Sequence, residues 1–264
     1  MYFPYKNTSI HFKIKGEGAP VLLLHGFLES GDIWKNIHQH LGEDYMFIIP
    51  DLLGHGKSGL TGTFLSMEEQ AEAMAGLCQY LGINEFAVAG HSMGGYISLA
   101  LAEMYPEKLS GLMLFHSHPF ADDDVKKKAR DLAVSKVKKD KTTFIEQSIP
   151  GFFAPGNQEK FQNEIKKLIR KARKMPVEGI SGALRGMKIR KDRSELFFSK
   201  TNYIKWWVLG EKDPLVNAPA WYKQYQKNPH VQIHMLPDGH MGFIENKKEV
   251  TALFKTFLNQ IYSV

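Results

Sequence analysis

A serine set between two glycines, and a histidine and a carboxylate far from it along the chain, are the groups here that could do chemistry. Ser92 is the centre of Gly90-His91-Ser92-Met93-Gly94, a match to G-x-S-x-G. The segment before it, Phe86-Ala-Val-Ala89, is an apolar run of strand length. The segment after it, Tyr96-Ile-Ser-Leu-Ala-Leu-Ala102, is rich in helix formers. A strand that becomes a helix within so few residues strains its central residue, and side chains two positions to either side would collide. Gly90 and Gly94 supply the clearance. The turn lifts the hydroxyl above the sheet edge, at a helix start whose free N–H groups favour a developing anion. Nucleophilic attack on a carbonyl is the chemistry this suits.

A serine hydroxyl is a poor nucleophile until a base takes its proton, and the base needs an orienting acid. The expected chain order is serine, acid, histidine, with each group in a loop that follows a strand. His240, in Pro237-Asp-Gly-His-Met-Gly242 after the apolar run Val231–Leu236, meets this for the base. Asp213, in Gly210-Glu-Lys-Asp-Pro-Leu-Val216 after Tyr203–Leu209, meets it for the acid. Among the other histidines, His11 and His234 lie within strands, and His38 and His40 lie on or near a surface helix. His91 is locked in the turn facing away from the serine, and His55 sits in a glycine turn. His116 and His118 end a strand near the site and are the weaker candidates for the base. Glu211, Asp238 and the Asp122–Asp124 run compete for the acid; Asp238, two residues from His240, reads as a turn former. The oxyanion of such a reaction needs N–H donors. Met93, just after the nucleophile, supplies one, and Phe27 in His25-Gly26-Phe27 the other.

These groups need a scaffold. Ser9–Ile14 alternates with period two, as a half-exposed strand does. Val21–His25 is a continuous apolar segment, as a strand buried on both faces is, Met46–Ile49 and Leu112–Phe115 read as further strands, and strand character resumes at Tyr203–Leu209 and Val231–Leu236. Helical patterns lie between them at Asp32–Leu41, at Ser66–Leu81 with Ser66 and Glu69 spaced as a capping box, and at Lys247–Tyr262. The alternation predicts an α/β fold with a mainly parallel, doubly wound sheet. From residue 117 to residue 200 no buried strand is expected. Charged helical patterns fill the stretch instead: Asp123–Lys139, Thr142–Gln147, Gln158–Lys174 and Val177–Lys188. Residues 1–116 and 201–264 therefore form the core domain, and 117–200 a helical lid inserted after the strand that ends near residue 115. Beneath it, Leu28, Phe152, Phe153 and Met241, with Phe27 and Met93, are expected to line a pocket, although the same aromatics would serve equally well as packing between lid and core. Such a lining favours apolar over charged acyl groups.

The 264 residues are 43% apolar, enough for a sizeable core, and no run approaches the roughly 18 residues of a membrane helix. Met1-Tyr-Phe-Pro-Tyr-Lys lacks the features of a signal peptide. The single cysteine, Cys78, excludes an internal disulfide, and a cytoplasmic location is expected. The lid carries 21 Lys and Arg against 11 Asp and Glu, more than the whole net charge of +6. Two readings follow: solvated helix faces, or a surface for an anionic acyl carrier. Nucleic acid is not expected, because no aromatics interleave the basic runs.

Together, His25-Gly26-Phe27, Asp51-Leu-Leu-Gly-His-Gly-Lys-Ser58, Gly90-His-Ser-Met-Gly-Gly95, Gly210-Glu-Lys-Asp213 and Gly239-His240 resemble the α/β-hydrolase fold superfamily, in the lid-bearing serine hydrolases of the carboxylesterase and enol-lactonase-like branch. The segment Gly182–Asp192 is similar to a lid helix of that branch. A serine at position 92 departs from the dehalogenase and epoxide-hydrolase branches, which use a carboxylate there. The turn also lacks the tryptophan of proline iminopeptidases. The resemblance implies hydrolysis of a small carboxylic ester, thioester or lactone through an acyl-enzyme, with no metal and no organic cofactor. Two alternatives stay open: a carbon–carbon bond hydrolase with the same three residues, and a small-ligand receptor with little turnover. The oligomeric state is not legible.

Overall fold

The apolar runs pair into one eight-stranded sheet in a computed structural model of the chain, which describes residues 1–42 and 44–262. The strands are β1 (Tyr2–Tyr5), β2 (Thr8–Lys15), β3 (Ala19–Leu24), β4 (Tyr45–Pro50), β5 (Phe86–His91), β6 (Leu109–Phe115), β7 (Ile204–Gly210) and β8 (Gln232–Leu236). Their order is β1-β2-β4-β3-β5-β6-β7-β8. The β1–β2 and β2–β4 pairings are antiparallel, and all others are parallel. β3 and β5 lie side by side in the middle, Val21 opposite Ala87 and Leu24 opposite Gly90. Both are covered on two faces, which is why their sequences are continuously apolar rather than alternating.

Helices flank the sheet. α1 (Lys35–Leu41) packs against α11 (Lys247–Tyr262), and α2 (Met67–Tyr80) against α3 (Met93–Met104). Gly111 of β6 admits α11, since a Cβ there would run into Ile261. The start of α2 forms half of the expected capping box. Ser66 Oγ accepts from the Glu69 N–H at 3.0 Å, but the Glu69 carboxylate turns to Lys6, 3.2 Å away. Asp32–Leu41 splits into a 3₁₀ turn, Gly31–Trp34, and α1.

Between β6 and β7 the chain forms α4 (Asp124–Lys139), α5 (Lys141–Ser148), α6 (Gln162–Ala172), α7 (Val177–Lys188) and α8 (Ser194–Phe198). Aspartates cap the first two: Asp123 accepts from the Lys126 N–H and Asp140 from the Thr143 N–H. β6 sits between β5 and β7, so this helical insert leaves the sheet beside the strands that carry Ser92 and Asp213. The insert seats closely on the core. A Cβ on Gly179 would strike the Gly54 carbonyl, and one on Gly186 the Leu65 carbonyl. α9 (Ala218–Tyr225) and α10 (Gly242–Glu245) follow β7 and β8.

Candidate active site

Ser92 joins β5 directly to α3, with φ 51° and ψ −116°. A residue with a side chain occupies this region only when its surroundings hold it there. Here the Ser92 N–H donates to the Phe115 carbonyl at 3.0 Å, and the Ser117 hydroxyl donates to the Ser92 carbonyl at 2.7 Å. The glycines of the turn are required by contact. A Cβ on Gly90 would lie on the Gly94 carbonyl, one on Gly94 on the Leu24 carbonyl, and one on Gly95 on the Ser117 hydroxyl. Leu28 (φ 62°) and His116 (φ 46°) are strained in the same sense. They follow β3 and β6, so strain gathers at the carboxyl ends of three neighbouring strands.

His240 and Asp213 come together from the loops after β8 and β7. His240 Nδ1 lies 2.7 Å from Asp213 Oδ2, both side chains buried. Burial opposes charge on each, but their mutual attraction outweighs it. Asp213 is held below the ordinary carboxylate range, and His240 is raised above the ordinary 6.5 of an imidazole. With Nδ1 donating to Asp213, Nε2 is the accepting nitrogen. The Asp213 Oδ1 accepts from the Leu215 N–H at 2.8 Å, which fixes the carboxylate in its turn. His240 is held from the insert as well: its N–H donates to the Phe152 carbonyl at 3.1 Å. Glu245 continues this seam, accepting from the Met241 N–H, the Ala154 N–H and the Asn157 side chain.

The competing residues lie near the site without taking these roles: His118 and Asp122 line the cavity that holds Ser92 and His240, and His116 Nδ1 lies 3.8 Å from Asp213 Oδ2. Asp238 is buried but makes no hydrogen bond to His240; its Oδ1 lies 3.5 Å from His116 Nε2. That approach is not an ion pair. Burial holds His116 neutral, and burial together with the Glu245 charge lifts Asp238 to about 7. His118 Nε2 lies 3.1 Å from the Tyr96 hydroxyl, and burial likewise pushes it far below the ordinary value.

Ser92 and His240 line one cavity of about 280 Å³. Among the described residues, neither the Phe27 nor the Met93 N–H donates to an acceptor, whereas Gly26 N–H between β3 and Phe27 is taken by Glu29 Oε2 at 2.6 Å. Phe27 and Phe152 are on the cavity wall. Leu28, Phe153 and Met241 are not. Leu28 faces a neighbouring cavity, Phe153 stacks on Phe161 within the insert, and Met241 is fully buried beneath the His240 loop. The positive φ of Leu28 explains the first, because it turns the side chain away from that of Phe27.

A family model described as alpha/beta hydrolase fold matches residues 19–247. The chain belongs to the alpha/beta hydrolase fold family. The hydrolase superposes on a malate-bound thermophilic esterase from Thermogutta terrifontis with a TM-score of 0.90 at 28% identity, covering 97% of this chain and 94% of that one. The enol-lactonase from Burkholderia xenovorans LB400 shares the fold, with a TM-score of 0.88 at 19% identity over 98% of this chain and all of that one. In sequence, Lipase 3 of Moraxella sp. is 28% identical over 262 residues, 91% of this chain and 77% of that protein. The first curated relatives, uncharacterized proteins of Mycobacterium bovis and Mycobacterium tuberculosis, are 34% identical over 103 residues, and the chain spans 30% of their length. Family and neighbours thus agree on the alpha/beta hydrolase fold. No helix among the described residues is long and apolar enough to cross a membrane.

The hydrolase cavity also holds residues the sequence did not single out for a pocket. Tyr96, Leu184, Met187 and Val216 extend its apolar part, but Lys126 and Arg130 make one wall cationic. A wholly apolar pocket is therefore not what the chain builds. Lys126 and Arg130 sit in a basic run that reads as a solvated helix face. The signal that could have separated them is spacing: Asp122, Lys126 and Arg130 fall four residues apart, with Ala129 and Ala133 beside them, as one face of a helix does.

Proposed function

We propose that the chain is a serine hydrolase that cleaves a carboxylic ester, thioester or lactone through an acyl-enzyme on Ser92. The single observation that supports this most is the 2.7 Å bond between His240 Nδ1 and Asp213 Oδ2, on a histidine that shares a cavity with a serine held at the head of α3. Ser92 Oγ attacks the substrate carbonyl while His240 Nε2 takes its proton. Asp213, kept ionised, orients the ring and stabilises the imidazolium. The N–H groups of Phe27 and Met93 receive the oxyanion, next to the positive end of α3. His240 then gives the proton to the leaving oxygen or sulfur, and the acyl group stays on Ser92. In the second half, water loses a proton to His240 and attacks the acyl carbonyl, and the proton returns to Ser92 as the acid leaves.

The insert 117–200 acts as a lid in this reading: it supplies Phe152 to the cavity and the carbonyl that holds the His240 backbone. Ser92, Asp213 and His240 with the insert fit the carboxylesterase and enol-lactonase branch, and the basic charge of the insert suits an anionic acyl carrier as donor of the acyl group. Labelling with a fluorophosphonate, followed by turnover of 4-nitrophenyl esters, tests the reading. Stoichiometric labelling of Ser92 with steady multiple turnover is expected. Labelling without turnover would turn the assignment toward a ligand receptor, and no labelling would remove Ser92 as nucleophile.

A further inference from the structure

The wall of the cavity formed by the start of α4 carries more positive charge than its own residues neutralise. Among the described residues, Asp122 is the carboxylate that lines it. Arg130 Nε donates to its Oδ2 at 3.0 Å, and Arg190 Nη1 lies 2.7 Å from its Oδ1. Burial pushes the Asp122 carboxyl up, and the two guanidinium charges outweigh it, so Asp122 stays ionised. Lys126, one helical turn from Arg130, has no carboxylate within ion-pair distance among the described residues. Two cations of the lining, Lys126 and Arg130, and Arg190 outside it therefore share one anion. Glu29 also touches the cavity, but its carboxylate is committed to His91 and the Gly26 N–H.

Donors exceed acceptors around this wall as well. Arg190 is 4% exposed, its guanidinium lies 4.0 Å from the ring centre of Tyr96, and its buried Nη2 has no partner among the described residues. His118, 3% exposed and on the same wall, leaves Nδ1 without a partner. After burial, the charges of Arg190, Lys126 and Arg130 are what keep His118 neutral, so their fields converge there. Unneutralised charge at a partly dry wall is unfavourable for the fold by itself. An anion brought by the substrate would relieve it.

We propose that the acyl half of the substrate carries a carboxylate, received by Lys126 and Arg130 while its ester carbonyl lies at Ser92. Placing the charge on the acyl half lets one anchor serve both acylation and deacylation, since that half remains after the alcohol has left. The proposal rests on the serine hydrolase reading of the same cavity and deepens it to esters of dicarboxylic acids. It also reverses the preference for neutral acyl chains that the flanking aromatics suggest.

The test compares kcat/KM for the mono-4-nitrophenyl esters of succinate, glutarate and adipate with those of butanoate, pentanoate and hexanoate, which replace the distal carboxylate by a methyl group. At the chain length that fits, the anionic ester is expected to exceed its neutral partner. Lys126→Met and Arg130→Gln should each lower that ratio about tenfold or more, the worth of a charge-assisted hydrogen bond. Lys128→Gln, on the exposed face of the same helix, should leave the ratio unchanged. A preference for the neutral ester at all three lengths overturns the proposal, and so does an equal loss in Lys128→Gln, which would mean diffuse attraction by the basic insert. Should Arg130→Gln fail to fold, Lys126→Met, which breaks no ion pair, carries the result. If no ester turns over and the fluorophosphonate leaves Ser92 unlabelled, the hydrolase reading has failed separately. Calorimetry then reads the subsite alone, with monomethyl glutarate against dimethyl glutarate titrated into the Ser92→Ala protein. Tighter binding of the anion, lost in Lys126→Met, supports the proposal, and equal or absent binding overturns it.

Discussion

His91 Nε2 lies 2.9 Å from the carbonyl oxygen of His240, so the residue preceding the candidate nucleophile holds the backbone of the candidate base. On its other side, His91 Nδ1 lies 3.0 Å from Glu29 Oε2, which also accepts from the Gly26 N–H. Its two ring nitrogens thus face a carbonyl oxygen on one side and a carboxylate oxygen on the other. Burial raises the Glu29 carboxyl, but the charge and hydrogen bond of His91 outweigh this and hold it below the usual range. The loop after β3, the turn at Ser92 and the loop after β8 are thereby fastened through one buried ring. Glu29→Gln keeps the shape and removes the charge. It should lower stability by about 2–3 kcal/mol and reduce kcat, because a buried pair loses one member. Denaturant unfolding and ester kinetics check both; unchanged stability would show the pair to be incidental.

Removing the nucleophile should separate chemistry from folding. Ser92→Ala is expected to lower kcat by on the order of 10³-fold or more and to abolish fluorophosphonate labelling, with the circular dichroism spectrum retained. A variant that keeps more than about a tenth of the activity would assign the nucleophile elsewhere.

The pH profile follows from the His240–Asp213 bond. Because His240 is raised above 6.5, the acid limb of kcat/KM should lie above pH 6.5, and activity should fall as the ring is protonated. Asp213→Asn removes the charge that raises His240 and leaves the burial that lowers it. Turnover should drop by on the order of 10⁴-fold, with the limb of the residual activity moved to lower pH. For stability the sign is opposite to that of activity. The raised ring favours the fold below pH 6.5, and this contribution fades as pH climbs through its folded value. An acid limb unmoved by Asp213→Asn would dissociate the carboxylate from the titration.

Asp238 offers a separate test by stability. Its folded carboxyl titrates at about 7 against an ordinary 3.8, so the fold holds that proton tightly and loses stability as pH rises between the two values. Asp238→Asn should remove this slope. Its Tm relative to the wild type should rise by on the order of 5 °C between about pH 5 and about pH 8, with only mild loss of activity. A parallel pH dependence in both proteins would place the titration on another group.

The parts legible in the sequence are those where a local rule and the global fold agree. Continuous apolar runs marked β3 and β5 because those strands are buried on both faces. Gly90 and Gly94 stood out because backbone carbonyls occupy the space a side chain would need. Asp213 and His240 could be named from chain order and loop position, and the structure brings their side chains together. What stayed hidden depends on contacts with no local trace. The short β1 pairs with β2, Tyr2 opposite His11, but its Tyr-Phe-Pro-Tyr sequence alternates too briefly to signal a strand. Leu28 cannot be known to turn away from the cavity without its backbone angle. Lys126 and Arg130 differ from their basic neighbours only in which way α4 is rotated on the core.

The seam between the insert and the loop after β8 ties the insert to the backbone of the candidate base. Lifting the Phe152–Asn157 segment would take the acceptor from the His240 N–H and two donors from Glu245 at the same time. The base is then fully braced only while the cavity is shut. If the insert lifts to release product as the proposed function requires, the same movement would loosen the candidate base. Water that wanders into an open cavity meets a histidine whose backbone has lost one of its two fixed points. In a serine hydrolase, the same few hydrogen bonds would then restrain both idle hydrolysis and premature loss of a half-reacted acyl group.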